Sequence, residues 1–171
     1  MAGITTFEEA LANFKSRLSP KESKDFSNLT TLKELEKTID SIQSSQESKK
    51  EMMNLTRIRP FLEGMKQLGK VVDVFLNTSE ILAYVWGPMK FLLLTASVWT
   101  DSFDALLGAY ESIGNHLPLL KHYERLFRND ADVRKLLGLI YTEILKFHST
   151  ALRFFTRPGK YLFYFETVLH N

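Results

Sequence analysis

The sequence predicts an all-α protein, a compact bundle of about five to seven helices around a central apolar helix at about Pro88–Asn115. Three observations predict it. Apolar residues recur at three- and four-residue intervals along most of the 171 residues, the spacing of one helix face. No stretch of useful length alternates apolar and polar residues as a half-buried strand does. One stretch, Ser79 to Leu117, is far more apolar than its surroundings, and its middle is apolar nearly all round, as the innermost helix of a bundle is.

The composition permits such a core. Apolar residues make up 44% and charged residues 25%, ordinary values for a globular domain. Thirteen Phe, six Tyr and two Trp supply large buried areas to a modest number of helices. The length suits a single domain over 1–171, with N-terminal helices and a polar connection at 1–58, a core at 59–159 and an aromatic tail at 160–171. The absence of cysteine excludes disulfides, thiol nucleophiles and cysteine-ligated zinc, and it fits a reducing, cytoplasmic setting. The N-terminus lacks the apolar segment of a secretory signal. A net charge of +2 is too balanced to predict nucleic-acid binding.

Taken in order, Thr5 or Thr6 caps a first helix to about Leu18, with Phe7, Leu11, Phe14 and Leu18 on one stripe. Ser19-Pro20 ends it, and Lys21 to Asn28 reads as a polar loop anchored by Phe26. Thr31 and Glu34 form a capping box for a second helix carrying Leu32, Leu35, Ile39 and Ile42 to about Ser44. The polar run from Ser44 to Glu51 reads equally as an exposed helical turn or a connection. Met52, Met53, Leu55 and Ile58 lead to Pro60, which suits the first turn of a third helix ending near Asn77. Gly64 and Gly69 each cost that helix roughly 1 kcal/mol relative to Ala, a cost that close packing against a neighbour explains.

Thr78 or Ser79 caps a short helix through Trp86, and Gly87-Pro88 is expected to kink or restart it. Amphipathicity returns after Trp99, through Phe103, Leu106, Leu107, Tyr110 and Ile113, until Gly114-Asn115 and Pro118. Pro118 starts a fifth helix with Leu119, Tyr123 and Phe127. Asn129 or Asp130 caps a sixth, from Val133 to Phe155, which Pro158-Gly159 stops. The tail from Lys160 is aromatic and helical in character. Ile81 to Val98 has the length of a membrane span, but Gly87-Pro88 and Lys90 interrupt it, and the surrounding amphipathic helices favour a buried core helix.

Candidate chemistry is sparse. Among His116, His122, His148 and His170, no pair has the helical spacing of a metal site with a third ligand in view. Ser149 follows His148, and neighbouring helix residues do not face each other, so no nucleophile–base pair forms. Neither GxxxxGK[ST] nor GxGxxG occurs. The sequence therefore predicts no enzyme, no cofactor, no metal and no small-molecule substrate. From Pro118 to Lys160, nine basic residues face four acidic ones. Within that run Lys146, Arg153, Arg157 and Lys160 are candidates for an anionic-lipid or acidic-partner surface, set against the plain reading of solvated helix faces.

The run from Val85 to Phe127 and the helix from Leu136 to Gly159 resemble the N-terminal domain of unknown function that opens many fungal NACHT-type STAND proteins, relatives of NOD-like receptors. The resemblance rests on Trp86-Gly87-Pro88 with the apolar helix after it, on the Phe103, Tyr110, Ile113, Leu117-Pro118 series, and on Ile140 to His148 with the Leu152-Arg153-Phe154-Phe155 ending. It implies a helical output domain, in some fungal cases of HeLo type, acting through self-association and membrane contact in cell death or immunity. Glu8, Glu9, Lys15 and Arg17 in the first helix depart from the apolar N-terminus of the membrane-piercing forms. A helical adaptor that binds a protein partner without touching lipid is the alternative.

Overall fold

The computed structural model describes residues 2–28, 30–48, 54–73, 78–117 and 130–156. They form seven α-helices: α1 Ala2–Ser16, α2 Pro20–Ser27, α3 Leu32–Ser48, α4 Arg59–Val72, α5 Thr78–Ala96, α6 Thr100–Asn115 and α7 Ala131–Thr156. A short 3-10 turn, Leu55–Ile58, leads into α4. Among the described residues there is no strand, and no helix is long and apolar enough to cross a membrane. The expected fifth helix from Pro118, Met52, Met53, and the tail from Arg157 lie outside the described residues.

The centre is α5, which packs against all six other helices. Ala83 through Met89 are buried without interruption, and Leu92, Leu93 and Ala96 continue the core. Gly87-Pro88 does not end and restart the helix. One helix runs through Pro88, and the chain breaks instead at Ser97–Trp99, so the predicted central helix at Pro88–Asn115 is two helices with a different boundary. A proline inside a helix removes one hydrogen bond and crowds the carbonyl four residues earlier. Here packing on every side of that turn outweighs the loss. The real break is marked by Trp99, whose extended backbone caps α6 by accepting from the Phe103 amide at 2.8 Å.

Around α5 the N-terminal helices wrap in order. Helix α1 begins at Ala2, so Thr5 and Thr6 lie inside it rather than capping it. It buries Phe7, Ala10, Leu11 and Phe14. Its main partner is α7, which runs alongside in the same direction: Phe7 stacks on Tyr141 at 5.3 Å, and Phe14 and Arg17 share a cavity with Leu145 and Ser149. Lys15 pairs with Glu80 and sits 4.9 Å above the Tyr84 ring, tying α1 to α5.

The segment expected to be a loop, Lys21 to Asn28, is largely helix α2. Ser19 caps it: its hydroxyl accepts from the Glu22 amide, and the Glu22 carboxylate accepts from the Ser19 amide at 2.7 Å. Phe26 is the buried anchor that the sequence suggested. The Thr31–Glu34 box opens α3 as expected, with the Thr31 amide donating to Glu34 at 2.8 Å, and that bond holds the Glu34 carboxyl below its usual range. Helix α3 continues past Ser44 to Ser48, because Gln46 is buried on the same face as Leu35 and Ile42.

Close helix contacts explain the glycines. A Cβ on Gly64 would lie 2.8 Å from Leu117, and one on Gly69 2.7 Å from Leu82. At Gly114 a Cβ would meet the Phe61 backbone nitrogen at 2.4 Å, so the start of α4 touches α6 backbone to backbone. Arg57 locks the same junction, donating from Nε to Glu111 and from Nη1 to Asp104, each at 2.8 Å. Both carboxylates raise its guanidinium pKa. It crosses Gly108 on α6, where a Cβ would come within 3.0 Å of the guanidinium.

Candidate functional site

Trp86, Gly87 and Pro88 are all buried in the middle of α5. Trp86 is 3% exposed and belongs to the core. The Gly87 position faces Phe26 and Thr30 at ordinary contact distance. Pro88 has no N–H, so the Tyr84 carbonyl, four residues earlier, loses its helical donor. That bare carbonyl is where a buried polar residue is needed, and His148 of α7 approaches it.

His148 is fully buried, as is Tyr110 of α6, and the Tyr110 hydroxyl oxygen lies 3.0 Å from His148 Nε2. Burial pushes the Tyr110 hydroxyl pKa well up and keeps the phenol neutral. Because the Tyr84 carbonyl can only accept, the imidazole N–H is assigned to Nδ1 facing it, and the Tyr110 hydroxyl donates to Nε2. Nδ1 approaches the Tyr84 backbone without reaching full hydrogen-bond geometry. Burial pushes the imidazole pKa down to about 3, with the Tyr84 backbone acting in the opposite sense. Phe61 and Phe147 pack against Tyr110 at 4.8 and 5.3 Å, closing the pair off from solvent. The sequence showed only that His148 could not partner Ser149; its true partner lies on another helix.

Among the concave features at the surface of the described residues, two are lined by α7. Between α6 and α7 is a groove of about 590 Å³. Its walls are mostly apolar, with Ile113, Leu117, Ile140, Ile144 and Phe147, and His116 and Glu143 stand at its polar edge. His116 Nδ1 donates to the Ser112 carbonyl at 2.7 Å. Leu139, which also lines the groove, is 49% exposed, and Leu136 one turn earlier is 54% exposed. Leu94, Val98, Trp99 and Phe154 are further exposed apolar side chains.

The second feature is a notch of about 60 Å³ between α1 and α7. Ala10, Phe14 and Leu145 form its floor. Polar residues stand round it: Asn13 and Arg17 from α1 and the turn after it, and Thr142, Lys146 and Ser149 from α7.

Of the predicted basic surface, Lys146 and Arg153 are exposed and seven residues apart, on one stripe of α7. Lys146 pairs with Glu143 at 2.7 Å. Arg157 and Lys160 lie outside the described residues, as do His122 and His170. Nothing in the sequence connects Arg17 with Lys146, since only the α1–α7 pairing brings them together. Among the described residues, no three His, Cys, Asp or Glu side chains come together as a metal-binding group.

The fold and these features define an all-helical bundle domain with a sealed polar pair at its centre and two open surfaces on α7. Residues 56–168 match the family described as a domain of unknown function (DUF7708), which covers about two thirds of the chain, and the chain belongs to that family. No curated protein and no solved structure matches it.

Proposed function

We propose that this chain is a non-enzymatic helical signalling domain, the cytoplasmic N-terminal output part of a fungal NACHT-type STAND protein, acting in cell death or immunity through self-association. The observation that carries the self-association is the α6–α7 face. Leu136 projects from it beside the groove, and half-exposed Leu139 stands at the groove's rim with Ile113, Ile140 and Phe147 as walls. A knob and a hole on one face are self-complementary, as a two-fold interface requires. The buried Tyr110–His148 pair is closed to substrate, and the groove has few polar groups, which suits a partner better than chemistry. The receptor context rests on the resemblance of the Trp86-Gly87-Pro88 helix and the helices after it. Exposed Lys146 and Arg153 support contact with an anionic membrane as part of the same role.

Light scattering tests this reading. The protein should form dimers or larger species, and a Leu136→Asp/Leu139→Asp variant should be a folded monomer. A wild-type protein that stays monomeric across the accessible concentration range overturns self-association. The groove would then favour the second reading, an adaptor that takes a partner's amphipathic helix.

A further inference from the structure

We infer that the notch between α1 and α7 binds a phosphate group, carried on a lipid headgroup or on a soluble phosphate. The inference rests on the anionic-surface part of the proposed function and is independent of self-association, because the apolar groove opens between α7 and α6 instead.

The donors converge from two helices. Lys146 and Ser149 line the notch three residues apart on α7, and Arg153 continues their stripe one turn beyond the notch's own walls. Arg17 is brought alongside by the turn that ends α1, where its amide donates to the Phe14 carbonyl at 3.0 Å. Ser149 is only 9% exposed, yet its hydroxyl bonds to no described residue and lines the notch. Neither Arg17 nor Arg153 is paired with a described carboxylate. Lys146 is held by Glu143, but both side chains are more than half exposed. Such a pair is worth at most about 1 kcal/mol, so a competing anion can draw the ammonium away.

What these groups recognise follows from their chemistry. Arginine and lysine offer only donors, and serine and asparagine can supply more. The complement is a compact anion with several acceptor oxygens. A guanidinium fork matches phosphate oxygens in pairs, and an ammonium adds a point charge. The floor of Ala10, Phe14 and Leu145 excludes water on one side, which strengthens charge-assisted hydrogen bonds. A notch of about 60 Å³ has room for one such group, and because it opens to solvent, whatever carries the phosphate can stay outside.

The full chain is titrated calorimetrically with inorganic phosphate and with a soluble inositol phosphate. It is also sedimented with phosphatidylcholine vesicles containing either a phosphatidylinositol phosphate or phosphatidylserine at equal total charge. The Arg17→Gln/Lys146→Gln variant should bind at least about tenfold more weakly, the loss expected for two charge-assisted contacts. Lys66→Gln, on α4, should bind as the wild type does, and thermal unfolding confirms that each variant is folded. Binding of soluble phosphates that the double variant loses supports the site with a free phosphate as its ligand. Binding only to phosphoinositide vesicles, again lost in the double variant, supports the site with a lipid headgroup. Equal binding to both anionic vesicles that ignores the double variant shows diffuse attraction and overturns the site, as does no binding to any probe. A self-associating protein that binds no phosphate overturns this inference alone, and a monomer that binds phosphate overturns self-association alone.

Discussion

Pro88 and His148 answer each other across the core. The proline removes the amide that would bond to the Tyr84 carbonyl, and the imidazole of His148 approaches that backbone from α7 while its other nitrogen takes the Tyr110 hydroxyl at 3.0 Å. A helix defect on α5 and a buried histidine on α7 would each be costly alone. Together with Tyr110 they form one polar contact where α5, α6 and α7 meet.

This arrangement makes stability fall in mild acid. The unfolded histidine takes a proton near pH 6.5, whereas the folded one resists until about pH 3. Below pH 6.5 the unfolded chain therefore binds a proton that the native state refuses. The contribution is complete above pH 6.5 and shrinks by up to about 1.4 kcal/mol per pH unit below it. Denaturant titrations at pH 7.5, 6 and 5 should show this slope. His148→Phe should flatten it, and an unchanged slope in that variant would place the acid sensitivity elsewhere.

At neutral pH the same substitution tests the hydrogen bond. His148→Phe leaves the buried Tyr110 hydroxyl without an acceptor, and the expected loss is about 1–3 kcal/mol. Adding Tyr110→Phe removes the stranded hydroxyl, so the double variant should be more stable than the sum of the single losses predicts. Strict additivity would show that the two side chains are not coupled.

Trp86→Ala should destabilise the protein by about 3–5 kcal/mol, the range for truncating a buried aromatic. Its burial at 3% exposure places it in that class. A loss under about 1 kcal/mol in chemical denaturation would contradict a core position.

Two glycine substitutions should separate clearly. Gly87→Ala adds a methyl at 3.4 Å or more from Phe26 and Thr30, but in a helix the residue before a proline has its Cβ crowded by the proline Cδ, which offsets the gain in helix propensity, so the change should stay within about 1 kcal/mol of neutral. Gly114→Ala drives a methyl into the Phe61 backbone, which cannot rotate away as a side chain can. It should cost about 1–3 kcal/mol or more, read as a lowered midpoint of thermal unfolding. Similar midpoints for the two variants would mean that α4 and α6 can separate without loss.

The fold was legible where local chemistry and burial agree. The Phe7, Leu11, Phe14 stripe, the Thr31–Glu34 box and the end of α6 at Gly114-Asn115 stand as the residues suggested. Asp130 also opens α7 as a cap should, its carboxylate accepting from the Asp132 amide at 2.8 Å. Helix α2 was missed because its apolar face is essentially Phe26, too little for periodicity, although Ser19-Pro20 followed by Glu22 carries a readable capping signal. Pro88 misled for a different reason: a proline's local cost is visible in sequence, and the packing that outweighs it is not. The Tyr110–His148 pair and the notch around Arg17 depend on helices far apart in the chain. Periodicity says which face is apolar but not which polar residues on two faces will meet.

The pairing of α1 with α7 bears on how the protein is made. Of the described helices, the first to leave the ribosome takes the last as its main neighbour, so Phe7, Leu11 and Phe14 stay without that cover until nearly all of the described chain has been synthesised. Closing so long a loop is slow compared with forming local helix pairs. The nascent chain thus carries an exposed aromatic stripe during translation, a natural target for a holding chaperone and the segment where premature termination would do most to promote aggregation.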